Sequence, residues 1–424
     1  MRIFKQMKKI ISSVFFLVIS FQCFSASILI QMDEDQKNHL KAYGIAFWTL
    51  KKGIELDWLL NYKGGSFLIG YNQEIENELK IRGVSYQVLP DAKVNAILLE
   101  ISNPEVNMDI VKLEKVPKIA VYSPKNKLPW DDAVTMVLTY AEIPYEVIYD
   151  DDVIGGKLPT YDWLHLHHED FTGQYGRFWA NYRNTGWYQD DVRLQEATAK
   201  KLGFKKVSEM KLGVAQKIRD FCSGGGFLFA MCSGTDSFDI ALAAAGLDIC
   251  ESMFDGDGVD QNAPSKLNYA NTFAFQNFNL ELNPMDYEFS NIDATNGRRI
   301  DRTQDFFTLF DFSAKWDVVP TMLTQNHDKV IKGFMGQTTA FRKSLIKPDV
   351  LVMGELKSAN EARYIHGEYG KGQWTFYGGH DPEDYQHMVG DPTTDLNLYP
   401  NSPGYRLILN NILFPSAKKS KQKT

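Results

Sequence analysis

The chain has 424 residues, with 46 Lys and Arg against 53 Asp and Glu and a formal net charge of −7. Its 44% hydrophobic and 23% charged residues fit a folded globular protein and exclude a mainly disordered chain. The acidic balance argues against a general nucleic-acid binder, which needs a broad basic face, and four cysteines are too few for a disulfide scaffold.

The N-terminus carries an export pattern. Arg2, Lys5, Lys8 and Lys9 precede the apolar run Ile10–Ile19, and Ser25, Ala26 and Ser27 offer a small-residue cleavage site. This is the build of a signal peptide over 1–25, with an uncleaved anchor as the alternative, because the run is short for a membrane span. An exported protein, periplasmic or extracellular, is expected, with no stable membrane span after cleavage. Losing the four cations of this segment moves the net charge from −7 to about −11. Cys222, Cys232 and Cys250 then remain, an odd count that asks for an explanation.

From residue 26 to 115 the pattern predicts a small α/β domain. Helical spacing covers Gln36–Leu50, strands are expected at Ile54–Leu59 and Ser66–Ile69 around the turn Gly64-Gly65, and a charged helix follows over Gln73–Arg82. Strand Ser85–Leu89 and helix Asp91–Ile101 complete it, and Glu114–Pro117 reads as a linker. A second α/β series occupies 116–250. Its expected strands are Lys118–Tyr122, Tyr145–Tyr149, Asp162–His167 and Phe227–Met231, and its helices are Asp132–Tyr140, Lys211–Cys222 and Ser237–Ala245. Such alternation argues for a doubly wound, mostly parallel sheet with its ligand site at the carboxyl ends of the strands. Between 251 and 350 aromatic residues crowd among Asn, Asp and Pro without helical period, which reads as a β-rich insertion. The α/β pattern returns over 351–415 with Leu351-Val352-Met353, strand Gln373–Tyr377 and helix Tyr405–Leu413, and 416–424 is a basic tail.

Cys232 has the most chemical setting. Strand Phe227–Met231 runs into Cys232-Ser233-Gly234, and a helix begins within a few residues. A nucleophile on such a turn projects from the sheet edge, the helix N-terminus favours its thiolate, and the Ser233 N–H points at a developing oxyanion. A base is available after strand Gln373–Tyr377, in Gly378-Gly379-His380-Asp381-Pro382-Glu383. Parallel strands bring both ends to one edge, so His380 can approach Cys232, with Glu383, or Asp381 in second place, orienting the imidazole. The competing reading of Cys232 is a small buried hydrophobe beneath the sheet edge.

Ala230-Met231-Cys232-Ser233-Gly234 resembles the G-x-C-x-G elbow of class I glutamine amidotransferases, and Gly379–Glu383 resembles their His-Pro-Glu segment. Gly370–Tyr377 followed by a C-terminal helix with Asn410-Asn411 is similar to the ThuA-like branch of that fold. The resemblance spans Pro117 to Pro415 apart from the insertion. It implies a flavodoxin-like α/β fold with Cys232 as nucleophile, His380 as base and Glu383 as its partner. Ala230 departs from the first elbow glycine, and Asp381 intervenes between the histidine and the proline. Trp163–Gly176 and Gly378–Tyr385 also resemble a secreted bacterial family usually labelled asparagine synthetase B. That chemistry uses a cysteine directly after the initiator Met, where Arg2 stands. It also uses an S-G-G-x-D-S ATP loop, which Ser233–Ser237 matches one residue short.

In His165-Leu166-His167-His168-Glu169-Asp170, period two puts His165 and His167 on one strand face and leaves His168, Glu169 and Asp170 at its carboxyl end. A metal reading would draw on His168, Asp170 and His380. The alternative, taken here, is that His165 and His167 are packed hydrogen-bond anchors while His168, Glu169 and Asp170 bind substrate with Ser233, Gly234 and Gly173; Gly173 permits a loop offering a second oxyanion N–H. No metal or cofactor is expected. The leading expectation is a Cys-His-Glu amidase or glutaminase-type hydrolase acting on a small-molecule or peptide amide. A non-catalytic envelope binding module and the synthetase reading are the alternatives.

Overall fold

A computed structural model describes residues 26–126, 128–317, 319–386 and 388–418. The expected signal peptide and the end of the basic tail lie outside the described residues. The strands are β1 Ala26–Ile30, β2 Leu56–Leu60, β3 Ser66–Gly70, β4 Gln87–Pro90, β5 Asp109–Leu113, β6 Ile119–Tyr122, β7 Glu146–Ile148, β8 Trp163–Leu166 and β9 Phe227–Met231. They continue with β10 Phe306–Leu309, β11 Val330–Lys332, β12 Phe341–Arg342, β13 Leu351–Leu356, β14 Glu361–Tyr369 and β15 Gly372–Tyr377. Among the described residues no helix is long and apolar enough to cross a membrane.

Two sheets result. The N-terminal one runs β4-β1-β3-β2-β5 with every pair antiparallel. The larger runs β11-β10-β13-β14-β15-β9-β8-β6-β7, with β12 beside β14. Its strands from β15 to β7 are parallel, and those from β11 to β15 are antiparallel. The fold is therefore α/β with a mixed sheet, which corrects the mostly parallel expectation. The reason is local: β13, β14 and β15 follow one another through short connections, which permit only antiparallel neighbours.

Alternation explains the layers. In β6, Ile119 and Val121 join one core while Ala120 and Tyr122 join the other; in β9, Phe229 and Met231 oppose Leu228 and Ala230 in the same way. Helices Ala133–Tyr140 and Pro403–Leu413 cover the first face together with the N-terminal sheet and helix His39–Lys51. Helices Val207–Ser223 and Ser233–Ala243 cover the second. Arg406 fastens the N-terminal sheet to the C-terminal helix. Its guanidinium is fully buried and donates to Tyr43 Oη (2.8 Å), to the Met32 carbonyl (3.2 Å) and to the Gly64 carbonyl.

The segment 251–350 is not β-rich. Its strands are the short β10, β11 and β12, and the remainder is turns and short helices. Its aromatics fill core rather than build sheet: Phe273, Phe275, Phe278 and Phe289 are buried against the second face. Asp239 ties this layer down by accepting from the amides of Phe273 (2.6 Å), Ala274 (2.7 Å) and Phe275 (3.0 Å).

Candidate functional site

The carboxyl ends of β6, β8, β9 and β15 deliver Asp131 and Asp132, His167 and His168, Cys232, and His380 to one edge of the sheet. Cys232 sits between β9 and helix Ser233–Ala243 at φ 51°, ψ −141°. That conformation is disfavoured for any residue with a Cβ, and it persists only where surrounding structure imposes it, at a cost of roughly 1–3 kcal/mol. Space explains part of the imposition: a Cβ on Gly234 would meet the Leu166 backbone at 3.3 Å, so the helix start is pressed on β8. Thr235 then closes the turn by donating from both N–H (3.1 Å) and Oγ1 (2.6 Å) to the Cys232 carbonyl.

Cys232 is buried, at 1% exposure. Burial pushes its thiol up to about 11, although the amides of Thr338, Gln337 and Ser233 are aimed at it and oppose that rise. The Gln337 N–H lies 3.2 Å from Sγ. The Ser233 amide is thus one of the donors at the sulfur, whereas the further amides come from the 335–339 loop and not from Gly173. Gly173 (φ 84°) is packed against Ser208, where any Cβ would lie 2.6 Å from the Ser208 Cα. The 335–339 loop also touches the histidine side, because the His380 N–H donates to the Met335 carbonyl (2.9 Å) and the Gly379 N–H to Thr338 (2.8 Å). It thus spans the two halves of the site.

His380 is buried with its Nε2 3.3 Å from Asp131 Oδ1. Its ring stacks 4.9 Å from His167 and lies tilted 4.1 Å from His168. Glu383 does not take the expected orienting role. Its N–H donates to Asp381 Oδ1 (2.9 Å), which turns the chain away, and its carboxyl, raised by burial, is hydrogen-bonded by Ser402. Asp381 serves the helix instead, accepting from Tyr405 Oη (2.8 Å) and Thr394 Oγ1 (2.7 Å).

The histidine segment divides as the strand period dictates. Trp163, His165 and His167 form a column on one face of β8, Trp163 stacked on His165 and His167 tilted against it. Asp132, which caps helix Ala133–Tyr140 by accepting from the Thr135 N–H (2.8 Å), also faces His165 Nε2 (3.1 Å) and His167 Nδ1 (3.0 Å). Burial alone would raise the Asp132 carboxyl, yet these two imidazoles hold it well below the usual range. His168 adopts φ 36°, and its Nε2 lies 3.3 Å from the Asp131 carbonyl oxygen. Burial first, then the neighbouring His167 and His380, keeps His168 well below the ordinary imidazole range.

Glu169 and Asp170 do not line the edge as expected. Glu169 points beneath the sheet, where it accepts from Tyr149 Oη (3.3 Å) near the buried Lys211 ammonium (3.9 Å); burial raises its carboxyl to about 8. Asp170 organises the loop that follows. It accepts from the Thr172 N–H (2.7 Å) and Oγ1 (2.6 Å), the Gln174 N–H (2.7 Å) and the Gly176 N–H (3.1 Å). These bonds hold Tyr175 and Arg177 at positive φ, and Arg177 donates to the carbonyls of Glu281 (2.8 Å) and Asp286 (3.0 Å), anchoring the loop in the 251–350 layer. Gln337 Nε2 donates to the Gly176 carbonyl (2.7 Å), which links this loop to the amides around Cys232.

Sequence reasoning missed Asp131, Asp132, His167 as a site residue, Gln337 and Thr338. The only signal for the two aspartates was their position immediately before a helix. No protein-family model matches the chain, and no curated protein matches it. Among solved structures, "Cytoplasmic Protein STM3548 from Salmonella typhimurium" aligns at 11% identity over 72% of this chain and 100% of its own, with a TM-score of 0.35. "Cytoplasmic Protein STM1381 from Salmonella typhimurium LT2" aligns at 14% identity over 71% and 100%, with a TM-score of 0.34. Gan42B, described as a GH42 beta-galactosidase, aligns at 11% identity over 63% of this chain and 28% of its own, with a TM-score of 0.26. Likenesses at these scores carry no argument about activity.

Proposed function

We propose that the chain is an exported hydrolase of amidotransferase-like build that cleaves a C–N bond of a small-molecule or peptide amide. The observation that carries this reading is the backbone of Cys232: a strained non-glycine turn between a parallel strand and a helix, with amides directed at the side-chain atom. Cys232 attacks the amide carbonyl, and the N–H groups of Ser233 and Gln337 receive the oxyanion once the sulfur moves forward to react. His380, held by Asp131 in place of Glu383, takes the thiol proton and returns it to the leaving amine. Water then hydrolyses the thioester, with His380 accepting its proton. Because the sulfur is buried, the 335–339 loop opens to admit substrate.

A second reading has its own support. The burial of Sγ and the elevated thiol suit a ligand-binding module on the same α/β frame, in which the strained turn shapes a cleft without chemistry. Ammonia release from a panel of primary amides and peptide amides separates the two. The hydrolase reading expects release by the wild-type protein and its loss in Cys232→Ala. Release that is undiminished in Cys232→Ala, or none from any amide tested, overturns it.

A further inference from the structure

One ring nitrogen from each of His167, His168 and His380 lies within 4.8 Å of the other two. The His167 and His168 rings stack at 3.7 Å, His167 stacks on His380 at 4.9 Å, and His168 meets His380 tilted at 4.1 Å. An aspartate oxygen lies beside each imidazole: Asp132 Oδ2 3.0 Å from His167 Nδ1, the Asp131 carbonyl oxygen 3.3 Å from His168 Nε2, and Asp131 Oδ1 3.3 Å from His380 Nε2. Oxygen acceptors that fix one ring nitrogen and present the other are the outer-shell arrangement of metal-ligating histidines. His167 supplies an independent sign. It is 2% exposed, and its Nε2 has no hydrogen-bond partner among the described residues. A buried imidazole nitrogen in that state gives up its hydrogen bonds to water, and a metal bond would replace them.

We propose that His167, His168 and His380 bind one divalent transition-metal ion, with Asp131 and Asp132 as the anchors of the rings. Three neutral nitrogen donors suit Zn2+, Co2+ or their neighbours and not Mg2+ or Ca2+, which take oxygen ligands. Zn–N bonds of about 2.0–2.1 Å place tetrahedral ligand atoms about 3.3 Å apart, so each ring closes by less than about 1 Å. A fourth position is left for water or substrate. His165 stays outside the set, since its Nδ1 faces the Phe229 carbonyl (3.3 Å) and its Nε2 faces Asp132. The Asp170 of the sequence reading is also outside, being spent on its loop.

The proposal stands without any chemistry at Cys232. It does make one demand on the proposed hydrolase: a metal ion and an incoming proton compete for the His380 nitrogen that does not face Asp131, so metal loading opposes the base role of His380.

The test uses the untagged full-length protein, stripped with chelator and titrated with Co2+ or Zn2+ alone. The expected result is one equivalent bound, with a visible Co2+ ligand-field band of tetrahedral type. His167→Ala and His168→Ala each lose the band and weaken Zn2+ binding by at least about 100-fold, and Asp132→Asn weakens it 10- to 100-fold. His327→Ala leaves binding unchanged. Should the histidine variants fail to fold, X-ray absorption on the Zn2+-loaded wild-type protein counts imidazoles directly, and three are expected. No stoichiometric binding, fewer than three imidazoles, or full affinity in folded His167→Ala and His168→Ala overturns the assignment.

Discussion

Replacing Cys232 by glycine and by alanine measures whether the turn is held under strain. Both variants lose the sulfur, so their difference isolates the backbone and one methyl group. At an ordinary φ, glycine is the weaker residue: it adds about 0.4–1 kcal/mol of unfolded-state entropy and gives up about 0.8 kcal/mol for a buried methyl. Cys232→Gly would then fall about 1.5 kcal/mol below Cys232→Ala. At φ 51°, ψ −141° alanine keeps a strain of roughly 1–3 kcal/mol that glycine does not feel. With strain near 2 kcal/mol, the glycine variant comes out about 0.5 kcal/mol more stable than the alanine variant. Urea unfolding of the two variants under one set of conditions gives the difference from their midpoints. A glycine variant less stable by about 1.5 kcal/mol would refute the strained turn and, with it, the main support for a nucleophile at this position.

Two other outcomes follow from groups outside the turn. His39 is buried beside Arg406 and stacks 4.0 Å from His327. Burial, followed by the Arg406 charge, lowers its imidazole from 6.5 to about 4. The folded state therefore binds fewer protons than the unfolded chain, and stability present above pH 6.5 is lost as pH falls toward 4; the loss from this group is about 2 kcal/mol at pH 5. Unfolding free energies at pH 7.5 and pH 5 should show that loss in the wild-type protein and a smaller one in His39→Gln; equal losses would exclude His39 as the source. Asp170→Asn removes the charge that four donors share, and a cost of about 2–3 kcal/mol is expected, with new proteolytic cleavage within 170–177. A change below about 0.5 kcal/mol would show that Asp170 does not organise the loop.

Legibility in the sequence followed the range of the interactions. The strands β6, β8, β9 and β15 were readable because short apolar runs alternating with helical segments are a local signal, and those strands alone place Cys232, His168 and His380 at one edge. Asp131 and Asp132 were not readable as site residues, because helix caps and histidine anchors look alike until the strands are assembled. Gln337 and Thr338 reach Cys232 from the 251–350 layer, 105 residues along the chain for the Gln337 amide, and no spacing rule carries that far. Glu383 was misplaced for a local reason: an aspartate side chain at 381 closes a turn on the Glu383 N–H, which the His-Pro-Glu comparison does not contain. The aromatic layer misled through composition. Aromatics enriched in strands are also what a loop layer needs to cover a sheet face, and here they do the latter.

The central claim, that Cys232 is the reactive thiol, is tested most directly by alkylation with iodoacetamide followed by residue-by-residue mass mapping. All three described cysteines are buried free thiols raised by burial, so exposure alone gives none of them an advantage. The directed amides, and the loop opening that the proposed hydrolase requires, give one to Cys232, which should be modified first and at least about tenfold faster than Cys222 and Cys250. Equal, slow modification of all three would contradict the account.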